Sequence, residues 1–254
     1  MNDPAPSFLA VVSGETPAEE IRALGREFAV LPLPPDPDLP LPVACHPDMI
    51  FAEAAGALFF SRRYGETYPA LVAELSRLSG MPAVFSDAPR SPEYPRDVGC
   101  DALVWRRREG PPILAGLLDA LFPELLARAR EAGFLCVHVR QGYAACSCIA
   151  LPDALFTSDD GIAKALSRVA ENVYSVPKEG ILLPGYGEGF LGGASGVLSE
   201  PDRLRVFFSG DPASMEYAET LSRLLDRHRA DPVLLSDSPL CDRGGIRFFK
   251  IVST

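Results

Sequence analysis

The feature that most constrains this chain is a repeated order of elements. Five segments carry helix signals. Thr16-Pro17-Ala18-Glu19 is a capping-box pattern with proline at the first helical position, leading into Ile21 and Leu24 and stopping near Gly25. After Thr67, the residues Leu71, Val72, Leu75 and Leu78 share one helical stripe that Gly80 ends. A third helix lies within "ILAGLLDALFPELLARAREAG", closing at Gly133, with Pro123 starting its main segment or kinking it. A fourth comes after "TSDDG", where Ser158, Asp159 or Asp160 can cap, and runs through Ile162, Leu166 and Val169. The fifth comes after "SGDPAS", with Met215, Ala218, Leu221, Leu224 and Leu225 on one face. Helix starts recur at intervals of about 45 to 55 residues, the length of a supersecondary repeat.

Each helix leads into an apolar run of strand length: "FAVLPL", "PAVFSD", "FLCVHV", "NVYSV" and "PVLLSD". Two further runs precede most helices, as in "MIFAEAAGALFFS" and "SCIALPDALFTS". The unit is therefore strand, strand, helix, strand. One unit is split: "GGIRFFKIV" ends the chain with one strand, and "FLAVVS" supplies another at the start. A unit completed by both termini closes a ring and removes the exposed sheet edge that an open array would carry. This pattern predicts an α/β protein, a five-bladed α/β propeller in a single domain over 1–254. An open α/β sandwich with the same elements is the alternative. The proline-rich stretches "LPPDPDLPLPVACHPD" and "SDAPRSPEYPRDVG" are stiff connections, and no domain boundary is evident.

The 254 residues are 47% hydrophobic, enough for a sizeable core, and carry a net charge of -10. That charge argues against a nucleic-acid partner and attracts cationic small molecules weakly. No basic leader precedes the first apolar run and no membrane-length apolar run occurs, so a cytoplasmic protein without a membrane partner is expected. The sequence is silent on oligomeric state. Six cysteines without a secretory signal read as reduced thiols. Cys146 and Cys148 form a C-x-C pair with no second pair at ligand spacing, so neither a metal nor a cofactor is expected.

Aligning the unit junctions puts "LPVACHPDMIFAE", "PRDVGCDALVW", "QGYAACSCIALP", "PGYGEGFLGGASG" and "DSPLCDRGGIRFF" in equivalent places. Polar and reactive residues thus gather at the entry to the first strand of each unit, which a ring would bring towards one central region. "PGYGEGFLGGASG" contains a G-x-G-x-x-G spacing at Gly187, Gly189 and Gly192, but "ASGVLSE" continues it as strand rather than helix, so no dinucleotide site is read there. The glycines instead permit close backbone approach, with Tyr186, Glu188 and Ser195 as candidate ligand contacts. "WRRREG" reads as a solvated hairpin tip.

The fivefold plan with a cysteine near the C-terminus resembles the pentein, or guanidino-group-modifying enzyme, fold shared by arginine and agmatine deiminases, dimethylarginine dimethylaminohydrolase and amidinotransferases. "VRQGYAACSCIAL", "PKEGILLPGYGEGFLGGASGV" and "LSDSPLCDRGGI" are more closely similar to a family of uncharacterised bacterial proteins assigned to that fold. The resemblance implies a late cysteine as nucleophile, a histidine from an H-x-D motif as proton carrier, and carboxylates gripping a guanidinium. On these positions Cys241 would be the nucleophile, and His46-Pro47-Asp48 resembles the H-x-D motif, with His46 and Asp48 as catalytic candidates. No E-G-G-D-like motif is present; Glu179 and Glu188 are the nearest glycine-flanked acids. Each has a plain structural reading as well: Cys241 as a loop thiol, Pro47 and Asp48 as turn chemistry, Asp237 as part of a Ser-Asp-x-Pro turn.

Two functions are compatible with these residues. The first is a cysteine hydrolase or transferase acting on a guanidine or amidine compound, in which Cys241 attacks, His46 carries protons and Glu188, Glu179, Asp48 or Asp237 bind the cation. The second is a non-catalytic pentein that binds a protein or small molecule, as the ribosome anti-association factor of that fold does.

Overall fold

In the computed structural model, which describes residues 6–252, the strands group into five separate three-stranded sheets. The first sheet contains β1 (Phe8–Ser13) and β2 (Ala29–Leu33), and the second contains β3 (Phe51–Ala54), β4 (Ala57–Ser61) and β5 (Ala83–Ser86). The third contains β6 (Leu103–Trp105), β7 (Ile113–Gly116) and β8 (Leu135–His138), and the fourth β9 (Cys148–Ala150), β10 (Leu155–Thr157) and β11 (Val173–Ser175). The fifth contains β12 (Ser195–Ser199), β13 (Leu204–Phe208) and β14 (Ala230–Leu234), while β15 (Arg247–Lys250) returns to the first sheet and pairs antiparallel with β1. Every sheet has the same form: the middle strand pairs antiparallel with one neighbour and parallel with the other.

A parallel pair needs a crossover, and helices supply it: α1 (Ala18–Leu24), α3 (Arg62–Thr67) with α4 (Pro69–Ser79), α5 (Pro123–Glu131), α6 (Asp160–Leu166) and α7 (Ala218–Arg227), with only the short α2 (Pro47–Ile50) outside that pattern. Asp159 Oδ1 caps α6 by accepting from Ile162 N at 2.7 Å, as its position before the helix suggests. Gly80 ends α4 in the left-handed conformation, φ 68°, which a glycine adopts without strain.

The alternation of each middle strand explains why its sequence is an unbroken apolar run. Leu9 and Val11 of β1 face one core cluster with Leu58 and Phe60 of β4, while Ala10 and Val12 face another with Phe207 of β13. Ala57 and Phe59 of β4 pack with Leu114 of β7; Ile113 and Ala115 of β7 pack with Leu155 of β10; Phe156 of β10 packs with Val206 and Phe208 of β13. With both faces buried, these strands are mostly apolar, and a polar residue within them, such as Arg205 of β13, needs a partner. Polar ties join the same neighbours. Trp105 donates its indole N–H to Leu151 O at 2.7 Å, and buried Arg205 bridges Glu27 at 2.6 Å and Glu200 at 3.0 Å.

The third helix lies within residues 113–133 as expected and starts at Pro123, while Ile113–Gly116 ahead of it is a strand buried on both faces. Two features differ from expectation. The helix α3 is unexpected, because six residues carry no periodic stripe; Ser61 Oγ starts it by accepting from Tyr64 N at 3.1 Å. The repeat is also less regular than its spacing suggests, since α6 begins at Asp160, soon after α5 at Pro123.

Candidate functional site

The five junctions into β3, β6, β9, β12 and β15 converge. His46 and Asp48 precede β3, Asp101 precedes β6, Cys146 precedes β9, Gly193 precedes β12 and Asp242 precedes β15, and the five polar side chains among them are all buried. Pro47 fixes the first turn of α2, with His46 at its N-cap and Asp48 in its first turn. Asp48 N donates to Gly244 O at 3.1 Å, which ties this turn to the last junction.

Asp101 Oδ1 accepts the backbone N–H groups of Ala145 (2.6 Å) and Cys146 (3.3 Å), and the Cys146 thiol donates to Asp101 Oδ2 at 2.8 Å. Asp242 accepts from Gly244 N at 3.0 Å and from Phe190 N at 2.9 Å, and its Oδ1 lies 3.7 Å from His46 Nδ1. Asp48 is different: both carboxylate oxygens are buried without a hydrogen-bond partner. One donor atom from each of Asp48, Asp101 and Cys146 lies within 4.8 Å of the others.

Glycine makes this proximity feasible. A Cβ on Gly193 would collide with the Asp242 carboxylate, and one on Gly192 would collide with the carbonyl groups of the 145–148 segment. These are two of the closely spaced glycines of "PGYGEGFLGGASG".

Burial dominates the electrostatics. It pushes Asp242 up to about 7, with the nearby Asp48 charge adding to the rise. Asp101 is raised well above the carboxylate range by burial and by Asp48, and the Cys146 thiol is raised by burial and by the surrounding aspartates. Burial lowers His46 against the opposing pull of Asp48. Burial therefore favours the protonated forms of Asp242, Asp101 and Cys146 and the neutral imidazole of His46.

On the other side of the Ala145 peptide is a cavity of about 250 Å³ lined by residues of β3, β6, β9, β12 and β15. Ala145 both lines this cavity and donates to Asp101, so the cluster lies directly behind the cavity wall. The charged residues of the lining are Glu53, Arg106 and Arg247; Arg106 is paired with Glu53, whereas Arg247 has no ion-pair partner among the described residues and reaches Asp101 electrostatically. Cys100 and Cys148 line it too, and burial pushes each thiol up to about 12.

Residues 11–247 match the model of a family of unknown function, DUF6873. The chain belongs to this family. Among curated proteins, none matches. Among solved structures, this DUF6873 chain is similar to DDAH from Pseudomonas aeruginosa, a cysteine-to-serine mutant complexed with citrulline. The two are 13% identical with a TM-score of 0.52, over 92% of this chain and 94% of that one. The likeness concerns the fold, and with the five equivalent sheets it gives the DUF6873 chain a pentein-like fold, as the sequence resemblance implies.

The sequence candidates divide. His46 and Asp48 stand in the buried cluster, and Ser195 lines the cavity with its hydroxyl donating to Leu191 O at 2.9 Å. Glu179, Tyr186, Glu188 and Asp237 are exposed, Glu188 at 4.0 Å from Lys178. Cys241 is buried in an isolated bridge with Leu182, its thiol 3.8 Å from Asp242 O. Burial raises its pKa, Arg243 opposes the rise, and Asp242 and Glu20 add to it. Motif reasoning passes over Asp101, takes Cys146 only as half of a C-x-C pair, and weighs Asp242 only through Cys241. All three lie inside the aligned junctions, which is the signal that could find them. All six cysteines are free, and no helix among the described residues is long and apolar enough to cross a membrane.

Proposed function

We propose that this DUF6873 protein is a binding pentein whose five sheets ring a central cavity, and that the cavity takes a small molecule carrying a guanidine, amidine or urea group together with a carboxylate. One observation carries the reading: the first strand of every unit contributes to one cavity whose lining holds the Glu53 carboxylate and the unpaired Arg247 guanidinium. Support for the ring comes from the core clusters, each of which joins two sheets so that every sheet is shared by two clusters. Arg247 suits a carboxylate through paired charged hydrogen bonds, and Glu53 suits a guanidinium in the same way. The Arg106 side chain now paired with Glu53 is about half exposed, at 53%, and free to yield the carboxylate to a ligand. A volume of about 250 Å³ suits an amino-acid-sized molecule. The bound citrulline of the DDAH structure, an amino acid with a urea group, is of this class.

Binding is favoured over cysteine catalysis because the thiols of the cavity are raised rather than activated, and a nucleophilic cysteine needs a lowered pKa. The catalytic reading rests on Cys241, whose neighbour Arg243 pulls its pKa down, with His46 as proton carrier and Asp48 as its partner. Thermal-shift measurements on the full chain across guanidino, amidino and ureido amino acids test the binding reading, with stabilisation expected for this class and not for simple amines. Absence of stabilisation by every member of the panel overturns it. A covalent adduct of a haloacetamidine on Cys241 moves the account to the hydrolase or transferase.

A further inference from the structure

We propose that Asp48, Asp101 and Cys146 form a binding site for one divalent transition-metal ion of the zinc type. The three residues come from three different junctions, and their donor atoms lie within 4.8 Å of one another in a place closed to solvent. Asp48 is 1% exposed, and neither of its carboxylate oxygens has a hydrogen-bond partner. An ionised carboxylate in that position is costly unless a cation meets it. The nearest side-chain ion pair in this region is between His46 and Asp242, so no lysine or arginine neutralises Asp48 among the described residues.

The donor set selects the ion. A thiolate with carboxylates suits zinc, cobalt or ferrous iron, whereas magnesium and calcium prefer oxygen alone. Cys146 offers its sulfur, Asp101 offers Oδ2 and Asp48 offers one carboxylate oxygen, which makes three ligands and leaves a fourth position for water. Asp101 Oδ1 is meanwhile held by the N–H groups of Ala145 and Cys146, the kind of outer hydrogen bond that orients a metal-binding carboxylate. Donors about 2.0–2.3 Å from zinc stand about 3.5 Å apart in a tetrahedron, so side-chain rotations of about 1 Å close the set onto an ion. Binding displaces the Cys146 thiol proton and the proton that burial favours on Asp101, releasing both to solvent and giving two carboxylates and one thiolate around the ion. The C-x-C spacing gives no hint of this, because Cys148 lies on the cavity side in β9 while its neighbour Cys146 faces the acids. The metal site is independent of the cavity ligand.

The test is titration of the metal-stripped full chain with Co²⁺ alone, then displacement with Zn²⁺. One equivalent of cobalt is expected to give a thiolate-to-cobalt charge-transfer band that zinc abolishes. In Cys146→Ser the band disappears, and in Asp48→Asn affinity falls by more than about 100-fold, beyond what loss of an outer-shell partner costs. Circular dichroism and thermal unfolding in the metal-free state establish that both variants fold. No cobalt band in the folded wild-type chain, or a band that survives Cys146→Ser, overturns the proposal. So does metal-independent stabilisation by Asp48→Asn with no metal uptake by the wild type, which would mean that the cluster holds only protons.

Discussion

The Cys146 thiol donates a hydrogen bond to Asp101 at 2.8 Å although the two residues are 45 positions apart, and both are buried. No local motif marks the two as partners. Equivalence brings them together: each stands at the entry to the first strand of its unit, and the five units deliver those entries to one place.

The Asp242 carboxyl, raised from an ordinary 3.8 to about 7, makes stability depend on pH. Between those values the folded chain keeps a proton that the unfolded chain has lost, so this contribution is complete below about pH 4 and is lost as pH rises through about 7. Buried His46 acts in the opposite sense, losing stability as pH falls below its ordinary 6.5. Urea unfolding of wild type and Asp242→Asn at pH 5 and 7.5, in the presence of a chelator, separates the first effect from the second, since His46 is common to both proteins. Asp242→Asn should reduce the loss of stability between the two pH values, and an unchanged loss would assign it to another group.

Gly193 has no room for a side chain, because a Cβ would enter the Asp242 carboxylate. Gly193→Ala is expected to destabilise the chain by about 1–3 kcal/mol or more, the range for overpacking a closed site. Gly187→Ala, in the same loop with open space around it, should cost much less. Comparable thermal shifts for the two would contradict the crowding described at the junction.

Arg90 and Asp36 form an ion pair at 3.0 Å with both side chains almost fully buried, joining the two proline-rich connections. Arg90→Met leaves Asp36 buried without its counter-ion, which should cost about 3–5 kcal/mol in denaturant unfolding. Arg62→Met at the exposed pair with Asp87 should cost far less, because solvent screens that pair. Similar losses at the two positions would mean that burial is not the source of the first pair's weight.

Cys241 should react slowly with iodoacetamide at pH 7, because burial raises its pKa and the thiolate is the reactive form. Mass spectrometry of the native chain locates the modified residues. Selective, rapid labelling of Cys241 would show an activated thiol and support the hydrolase or transferase reading.

Much of the fold is legible in the sequence because it rests on local patterns. Apolar runs such as "FLAVVS" and "LRVFFS" mark strands buried on both faces, and Thr16-Pro17 and Gly80 bracket helices through capping chemistry. The strand at 113–116 is not separated in the sequence from the helical stretch that follows, because a buried strand and one turn of an apolar helix share the same composition. In the site, His46 and Asp48 are legible through a local pattern, H-x-D. Asp101 and Cys146 are not, since their meaning lies in a contact between units, and Glu179, Glu188 and Asp237 are drawn in by motif likeness although their backbone leaves them in solvent. Alignment of junctions, a property of the whole repeat, is a better guide than any one motif.

The most direct test of the account is calorimetric titration of the full chain with arginine and with agmatine, its decarboxylated form, in wild type and in Arg247→Met. The account expects arginine to bind wild type at least about tenfold more tightly than agmatine, a charge-assisted pair being worth about 1.5–3 kcal/mol, and expects that preference to vanish in Arg247→Met. Equal binding of the two compounds by wild type, or binding of neither, would contradict it.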